Sequence, residues 1–363
     1  LYSTASEAPA DAPAAVGRPQ MKYAENGSLE TTISFTAPSK TFGGSTLTDN
    51  VNLNVWLDGD NLKGEDVKPG ENVSIPTTLT EGNHYVCITT DNAAGFSPIR
   101  YIYQYAGYDT PLSPTEVKFT MDSNTNTVAW KTPAEGVSKG YIDFANLTYD
   151  VIRMPGDSLV ATGLKATTFS EPTPGNMQSY YYRIFAVNKG HRSEYGESNH
   201  ILCGDAFTVP YHQDFTDEAT LHDFFTVYDN DGDGHTWRTG SINEVRNDYF
   251  HAGVDADDWL ITPSILLADG MKYRFRMNMK SFTPDYPEDF DIYIGTAAGD
   301  LSTFKLIRSE RQFTEIASAF GDYTCDFFVE SSGDYHLAVR YCSKNDSKGS
   351  LMMMKSVGVE AVG

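Results

Sequence analysis

The sequence is short of basic residues and of long apolar runs. Its 363 residues carry 27 Lys and Arg against 49 Asp and Glu, which gives a formal net charge of −22. Such a surface repels phosphate backbones and anionic membranes, so we expect no nucleic-acid partner. No stretch approaches the roughly 20 consecutive apolar residues that a membrane helix needs, and we therefore expect no membrane insertion in this segment.

Cysteine is also scarce, and the four that are present do not make a disulfide framework. Cys87 and Cys203 are isolated in the sequence. Cys325 and Cys342 flank a predicted hairpin whose turn lies near residues 331–334. Depending on the register of that turn, the two lie one diagonal step apart or directly opposite each other. The sequence leaves a bond between them open.

Motifs of catalysis are missing as well. The eight histidines show no metal-binding spacing, and the chain has no HExxH, G-x-S-x-G, Gly-rich phosphate loop or CxxC. Carboxylate pairs arise by chance among 49 acidic residues, so they do not indicate a glycosidase. We therefore expect a protein that is not an enzyme.

What the chain does have is alternation of apolar and polar residues. Residues 273–280, YRFRMNMK, place Tyr, Phe and two Met on one face and charged or amide residues on the other, which is the pattern of a half-buried strand. Helical periodicity is almost absent, apart from one short turn at 216–225. With 40% apolar residues the chain can bury two or three cores. We predict an all-β fold of sandwiches.

Two segments of the chain repeat. After residues 1–17, an Ala-, Pro- and Ser-rich linker or tail, Pro38 and Pro133 mark similar stretches 95 residues apart. Asn92 and Asn188 mark a second pair of similar stretches, 96 residues apart. Two landmarks at nearly one offset predict tandem domains, each the size of a small sandwich.

Both repeats resemble fibronectin type III domains. Trp130 lies where that family has its buried strand-B tryptophan, and Tyr180 lies at the tyrosine-corner position. The first repeat departs from the pattern, with Phe35 for the tryptophan and His84 near the tyrosine position. The resemblance implies that these residues pack in the core and that both repeats serve as spacers. It implies immunoglobulin-like sandwiches at residues 18–107 and 108–207.

The last segment, residues 208–363, carries no copy of this repeat. It contains YDNDGDGHTW and then DADDWLITPSILL, and in this order the two motifs resemble the cleaved-adhesin modules found behind gingipain-type secreted proteases. That family implies a jelly-roll β-sandwich. The family usually has a pair of acidic residues before its last strand, whereas this chain has Lys355 and Ser356. A function that depends on that pair is not implied here.

The first of these motifs predicts a calcium site. Carboxylates at alternate positions on a curved loop can converge on one ion, which takes six to eight oxygens, and Gly234 permits the turn. The loop is not an EF-hand, because its twelfth position is Gly240. The alternative is a solvated acidic turn. The predicted ligands are Asp229, Asp231, Asp233 and the carbonyl of His235, completed from Asp255, Asp257 or Asp258.

Four aromatic residues are candidates for ligand binding. Trp237 and Trp259 each follow an acidic loop, where they either form a ligand platform or close the sandwich core. Phe282 and Tyr286 lie in SFTPDYPEDF, residues 281–290, which has the composition of a surface loop. Exposed aromatic residues on a rigid loop are binding candidates, and the alternative is that they cap the end of the sandwich.

These resemblances imply an exported bacterial cell-surface adhesin whose calcium-stabilised jelly roll binds glycans or extracellular proteins. We expect a monomer that is secreted or held at the outer cell surface, where a lipid anchor through a removed N-terminus is one route. Residue 1 is Leu rather than Met, so we expect a processed or trimmed chain. Two alternatives stay open: the non-catalytic C-terminal region of a secreted protease or glycan-degrading enzyme, and an enzyme on a jelly roll.

Overall fold

The computed structural model describes residues 7–23, 25–248, 253–345 and 349–363. Within these residues the chain forms 29 strands, one α-helix and one 3-10 turn, which confirms the all-β prediction. The same residues contain no helix that is long and apolar enough to cross a membrane. The chain divides into two compact units. One runs to residue 120 and includes 127–170 and 182–199, and the other includes 121–126, 171–181 and the described residues from 200 onward.

The first repeat folds into a sandwich. Its strands are β1 (Gln20–Tyr23), β2 (Glu30–Thr36), β3 (Val51–Leu57), β4 (Asp60–Val67), β5 (Asn72–Thr78), β6 (Gly82–Asn92), β7 (Gly95–Phe96) and β8 (Arg100–Ala106). One sheet has the order β1-β2-β5 and the other β4-β3-β6-β7, with β8 also paired to β6. Alternate residues point inward, so Ile33 from the first sheet and Leu53, Val55 and Val86 from the second share one core.

The second repeat has the same strand order. Its strands are β9 (Thr115–Asp122), β10 (Thr125–Lys131), β11 (Thr148–Met154), β12 (Ser158–Leu164), β13 (Thr168–Pro172), β14 (Gln178–Asn188), β15 (His191–Glu197) and β16 (Ile201–Cys203). The sheets are β13-β10-β9 and β12-β11-β14-β15, with β16 also on β14. Trp130 is buried and packs edge-on against Tyr149, with ring centroids 5.2 Å apart. The shared order confirms the tandem sandwiches.

The corner residues of the two repeats make equivalent hydrogen bonds. The Tyr180 hydroxyl donates to the carbonyl of Asn176, at 2.7 Å. In the first repeat, His84 Nε2 lies 2.7 Å from the carbonyl of Thr80, which is again four residues upstream. His84 Nδ1 lies 2.6 Å from an Asp58 carboxylate oxygen. The imidazole therefore performs the corner role that the phenol performs in the second repeat.

The segment that opens the second repeat is closely packed against the rest of that repeat. Asp109 is buried, and its carboxylate accepts the backbone N–H groups of Ser138 at 2.8 Å and Gly140 at 2.9 Å. Its own carbonyl accepts the Asn188 side-chain amide at 2.7 Å. A Cβ added to Gly136 would lie 2.1 Å from the Asp109 carboxylate, so only glycine fits there. The start of the second repeat is thus fixed by a buried carboxylate.

The C-terminal segment forms a third sandwich. Its elements are β17 (Phe207–Thr208), β18 (Tyr211–Asp214), α1 (Glu218–Phe224), β19 (Thr226–Asp229), β20 (Arg238–Thr239), β21 (Val245–Asn247), β22 (Asp258–Ile261), β23 (Ile265–Leu267), β24 (Lys272–Ser281), β25 (Glu288–Gly295), a 3-10 turn (Leu301–Thr303), β26 (Lys305–Phe313), β27 (Gly321–Phe328), β28 (Gly333–Tyr341) and β29 (Met352–Val362). The helix begins after Asp217, whose carboxylate accepts the Thr220 N–H at 2.8 Å.

The chain of this sandwich crosses repeatedly between two sheets. One sheet contains β17, β19, β22, β23, β25, β26 and β28, and the other contains β18, β20, β21, β24, β27 and β29. Only β20 and β21, β22 and β23, and β25 and β26 are consecutive strands of the same sheet. This repeated crossing is the pattern of the predicted jelly roll. The two inner faces share one core, which includes Phe275, Met277, Phe290, Ile292 and Val339.

The assignment of strands to sheets also shows whether Cys325 and Cys342 face each other across a hairpin. Strands β27 and β28 follow each other in the chain but belong to different sheets, so they do not pair as the hairpin that the sequence suggested. Cys325 lies on β27, and Cys342 directly follows β28. Both are free, as are Cys87 and Cys203. A sequence turn between two strands does not by itself make them neighbours.

Candidate metal site and aromatic loop

The acidic motif forms a tight loop directly after β19. The carboxylates of Asp229, Asp231 and Asp233 each place an oxygen within 4.8 Å of the other two. Asp229 holds the loop in shape, since its carboxylate accepts the N–H groups of Gly232 at 2.7 Å and Gly234 at 2.9 Å. Both glycines have positive φ, 73° and 83°, which explains why glycine is needed at these positions. This group could hold a metal ion.

The loop is tied to the strand beside it. The Asp231 carboxylate accepts the N–H of Asp257 at 2.6 Å and that of Asp233 at 3.0 Å. Burial raises the pKa of Asp231, and the nearby charge of Asp233 adds to this effect. Three carboxylates at this distance repel one another unless a cation neutralises them.

Beneath the loop lies a fourth carboxylate, Asp258, which is fully buried on β22. One of its oxygens accepts the Asn247 side-chain amide at 2.9 Å. Burial, together with the nearby charges of Asp231 and Asp233, raises the pKa of Asp258 to about 7. The carboxylate therefore needs either a proton or a cation to be stable in this environment.

Four buried side-chain oxygens in this region have no hydrogen-bond partner among the described residues. They are Asp233 Oδ2, Thr236 Oγ1, Asn247 Oδ1 and Asp258 Oδ1. Buried oxygens without a partner are rare in folded proteins, because each one has lost water and gained nothing in return. All four are oxygens, and an all-oxygen set is typical of calcium and magnesium, whereas zinc sites usually include Cys or His. The donor set therefore fits a hard cation.

Other predicted ligands have different roles. Asp257 is fully engaged: one carboxylate oxygen accepts Arg340 Nε at 2.6 Å and Trp259 Nε1 at 2.8 Å, and the other accepts the Asn230 amide at 2.7 Å. It fastens the loop to β28 through Arg340. That Asp257 is also a ligand stays a prediction.

The remaining predicted ligands lie at the rim. Asp255 pairs with Lys344 Nζ at 2.9 Å and accepts the N–H of Asn345 at 3.0 Å. His235 has an exposed side chain, and its N–H donates to Asp233 Oδ1 at 2.6 Å. The carbonyl of His235 and the Asp258 carboxylate stay predicted ligands.

Sequence reasoning missed Thr236 and Asn247. Thr236 lies inside the acidic motif, but a threonine there does not by itself indicate a metal ligand. Asn247 lies on β21, a strand that follows the loop and has no acidic motif of its own. The signal that could have indicated Asn247 is the alternation of β21, which places this polar residue on the inward face, where it is fully buried.

The two tryptophans are core residues and not ligand platforms. Trp237 is only 3% exposed, and its ring N–H donates to the carbonyl of Asp258 at 3.2 Å. Trp259 is 7% exposed and packs against Tyr293 and Phe304, with ring centroids 4.7 and 5.8 Å away. The packing alternative for both residues is therefore the one that the structure supports.

The aromatic loop, residues 281–290, joins β24 to β25. Phe282 is 44% exposed and Tyr286 is 39% exposed, and their rings meet edge to face with centroids 5.9 Å apart. The Tyr286 N–H donates to the carbonyl of Thr283 at 3.1 Å, which closes a turn between them. The predicted exposure of both residues is confirmed, and a ligand for them stays a prediction.

Comparison with known proteins gives similarity of structure only. No family model matches the chain, and no curated protein matches it. The K1 cleaved adhesin domain of Lys-gingipain from Porphyromonas gingivalis W83 is similar over 43% of this chain and 99% of that domain, with 19% identity and a TM-score of 0.32. The FN1–FN3 domains of chicken CNTN1 are similar over 93% of this chain and 95% of that one, with 13% identity and a TM-score of 0.26. The C-terminal CBM6 of LamC from Zobellia galactanivorans is similar over 41% and 99%, with 11% identity and a TM-score of 0.27.

Proposed function

We propose that the chain is a non-catalytic binding protein of the adhesin kind, whose C-terminal sandwich is stabilised by one calcium ion. The observation that carries the metal site is the group of four buried, unpartnered oxygens beside the aspartate loop. A calcium ion bound there would be the positively charged partner that these oxygens lack. The residues that would hold it are Asp229, Asp231, Asp233, Thr236, Asn247 and Asp258.

The proposed binding surface is the aromatic loop. Phe282 and Tyr286 present two large rings to solvent on a short loop between two long strands. Rings held in this way lose little conformational entropy when a ligand covers them. The resemblance of the sequence to adhesin modules supports a glycan or an extracellular protein as the ligand. Under this proposal the protein acts outside the cell, secreted or at the outer surface, and as a monomer.

Isothermal titration of the chelator-treated chain with calcium tests the metal site. We expect the parent to bind one calcium ion. Asp233→Asn combined with Asp258→Asn should abolish that heat, because two of the buried carboxylates are then neutral. Asp255→Asn is the matched control, since it removes a neighbouring carboxylate that pairs with Lys344, and it should bind calcium as the parent does.

Two results would contradict the proposal. In the first, the parent takes up no calcium. In the second, the double variant and the Asp255→Asn control bind calcium equally well, which would leave the loop as an acidic turn.

A further inference from the structure

The first sandwich carries an aromatic surface that core packing does not use. On its larger sheet, Val55, Val86 and Ile88 point into the core, so the residues between them point outward. Tyr85 on β6 is directly opposite Tyr103 on β8. We call the outward residues Trp56, Tyr85, Tyr101 and Tyr103 the tyrosine face.

The rings of the tyrosine face are exposed and close together. Tyr103 is 76% exposed, Tyr101 52% and Tyr85 37%. The Tyr101 and Tyr103 rings are nearly parallel, at 16°, with centroids 6.4 Å apart, and Tyr85 lies 6.2 Å from Tyr103. Trp56 extends the surface, because it is opposite Cys87, which is in turn opposite Tyr101. Clustered exposed aromatic residues mark binding sites on soluble proteins.

Beside this face the surface becomes concave. A hollow of about 250 Å³ is lined by Tyr85, Tyr103 and Gln104, together with Asn83 and Ser138. The Tyr85 backbone N–H donates to the Asp58 carboxylate at 2.9 Å, so the ring starts from a fixed position.

The hollow leads into a second, larger cleft of about 430 Å³, which shares Gln104 and Tyr105 with it. The larger cleft adds the side chains of Glu25, Asn26 and Lys139. Two hydrogen bonds hold the larger cleft in shape. The Tyr23 hydroxyl donates to the carbonyl of Tyr105 at 3.1 Å, and the Tyr105 hydroxyl donates to the carbonyl of Tyr108 at 3.3 Å. Aromatic rings thus lead into a groove of amide, hydroxyl and charged groups.

We propose that the tyrosine face and the adjoining groove bind an uncharged oligosaccharide. The flat rings suit the C–H faces of sugar rings, and the amide, carboxylate and ammonium groups of the groove suit sugar hydroxyls. The net charge of −22 disfavours an anionic polysaccharide. A proline-rich peptide also docks on tyrosines, but the groove here is lined mainly by hydrogen-bonding groups. This site makes the first repeat a recognition module rather than a spacer, independently of the C-terminal sandwich.

Native gel electrophoresis of the full chain through gels containing neutral polysaccharide tests the proposal. The probes are a mixed-linkage β-glucan, a mannan, a xylan and a galactan, with alginate and a proline-rich peptide for comparison. We expect at least one neutral polysaccharide to retard the parent. Tyr101→Ala combined with Tyr103→Ala should weaken that binding about tenfold or more, as loss of central aromatic contacts does at interfaces. The melting temperature should stay nearly unchanged, since both side chains are exposed.

Two variants serve as controls. Phe328→Ala removes a ring that is 66% exposed on the third sandwich and should bind as the parent does. Phe282→Ala combined with Tyr286→Ala alters only the aromatic loop and should leave this binding intact, so a failure of either proposed site is recognised separately.

The proposal is overturned if no neutral polysaccharide retards the parent. It is equally overturned if the Tyr101 and Tyr103 double variant migrates like the parent, or if only alginate or only the peptide is bound at the tyrosine face.

Discussion

Buried carboxylates of the C-terminal sandwich fall into two groups. Glu288 and Asp291 have protein partners: the hydroxyl of Tyr341 donates to Glu288 at 2.6 Å, and Arg311 pairs with Asp291 at 2.8 Å. Asp258 has one oxygen with no partner. The first two have partners within the chain, whereas the third needs either a proton or the proposed cation.

A single histidine supplies a pH test of the same sandwich. Burial lowers the pKa of His336 from its ordinary value of 6.5, although its Nδ1 lies 2.8 Å from the carbonyl of Thr262. The unfolded chain therefore takes up a proton at a pH where the folded chain does not. The stability from this group is present above about pH 6.5 and is lost as the pH falls through the folded pKa.

We expect His336→Gln, which keeps a hydrogen-bond donor, to reduce this pH sensitivity. Scanning calorimetry at pH 7.5 and pH 5 should show a smaller fall in melting temperature for the variant than for the parent. Equal falls would show that His336 titrates alike in the folded and unfolded chain.

The roles of residues that depend only on their neighbours in the sequence were predictable. The corner roles of Tyr180 and His84 followed from their place in the repeat, and the aspartate loop followed from its spacing. Asn247 was not predictable, because it reaches Asp258 only through the pairing of β21 with β29 and the packing of two sheets. No local sequence pattern predicts ligands that come together from separate strands.

Among the elements, the strands were easier to predict than their partners. Alternation placed β24 and β28 correctly, because one face of each is buried. The partner of a strand depends on which sheet the chain enters next, and no local pattern records this. The predicted cysteine hairpin failed for that reason.

The aromatic loop makes a prediction at the scale of an element. Phe282→Ala combined with Tyr286→Ala should abolish binding to whichever ligand a screen of glycans and matrix proteins identifies, and should change the melting temperature little. Leu306→Ala is a suitable control, because Leu306 is 54% exposed on β26. Surface plasmon resonance measures the binding. A large loss of stability in the double variant would mean that the two rings support the fold, and a loss of binding could then not be assigned to the aromatic loop.

For the whole molecule, the predicted boundaries and the metal site can be tested together. The domains predicted at 18–107, 108–207 and 208–363 imply that chelator weakens only the third. A bound ion stabilises the folded state by about 2.7 kcal/mol at a hundredfold excess over its dissociation constant. Limited proteolysis in chelator should therefore digest the chain after about residue 208 and leave a fragment that contains both repeats.

Mass spectrometry of the fragments decides the outcome. Calcium should protect the C-terminal part in the parent but not in the Asp233→Asn, Asp258→Asn double variant. A resistant fragment that spans residues 150–260 as one piece, with or without chelator, would contradict the boundaries.

The buried Asp109 restricts how the second repeat can be inherited. Replacing Asp109 leaves the N–H groups of Ser138 and Gly140 without their acceptor, and adding a side chain to Gly136 collides with its carboxylate. No single exchange at these places is free of cost while the others stay. Recombination that cut the chain between residues 109 and 136 would break this set, whereas an exchange of the first repeat up to residue 107 would keep it. The segment that begins at Asp109 is therefore expected to pass between lineages together with the second repeat, as one block.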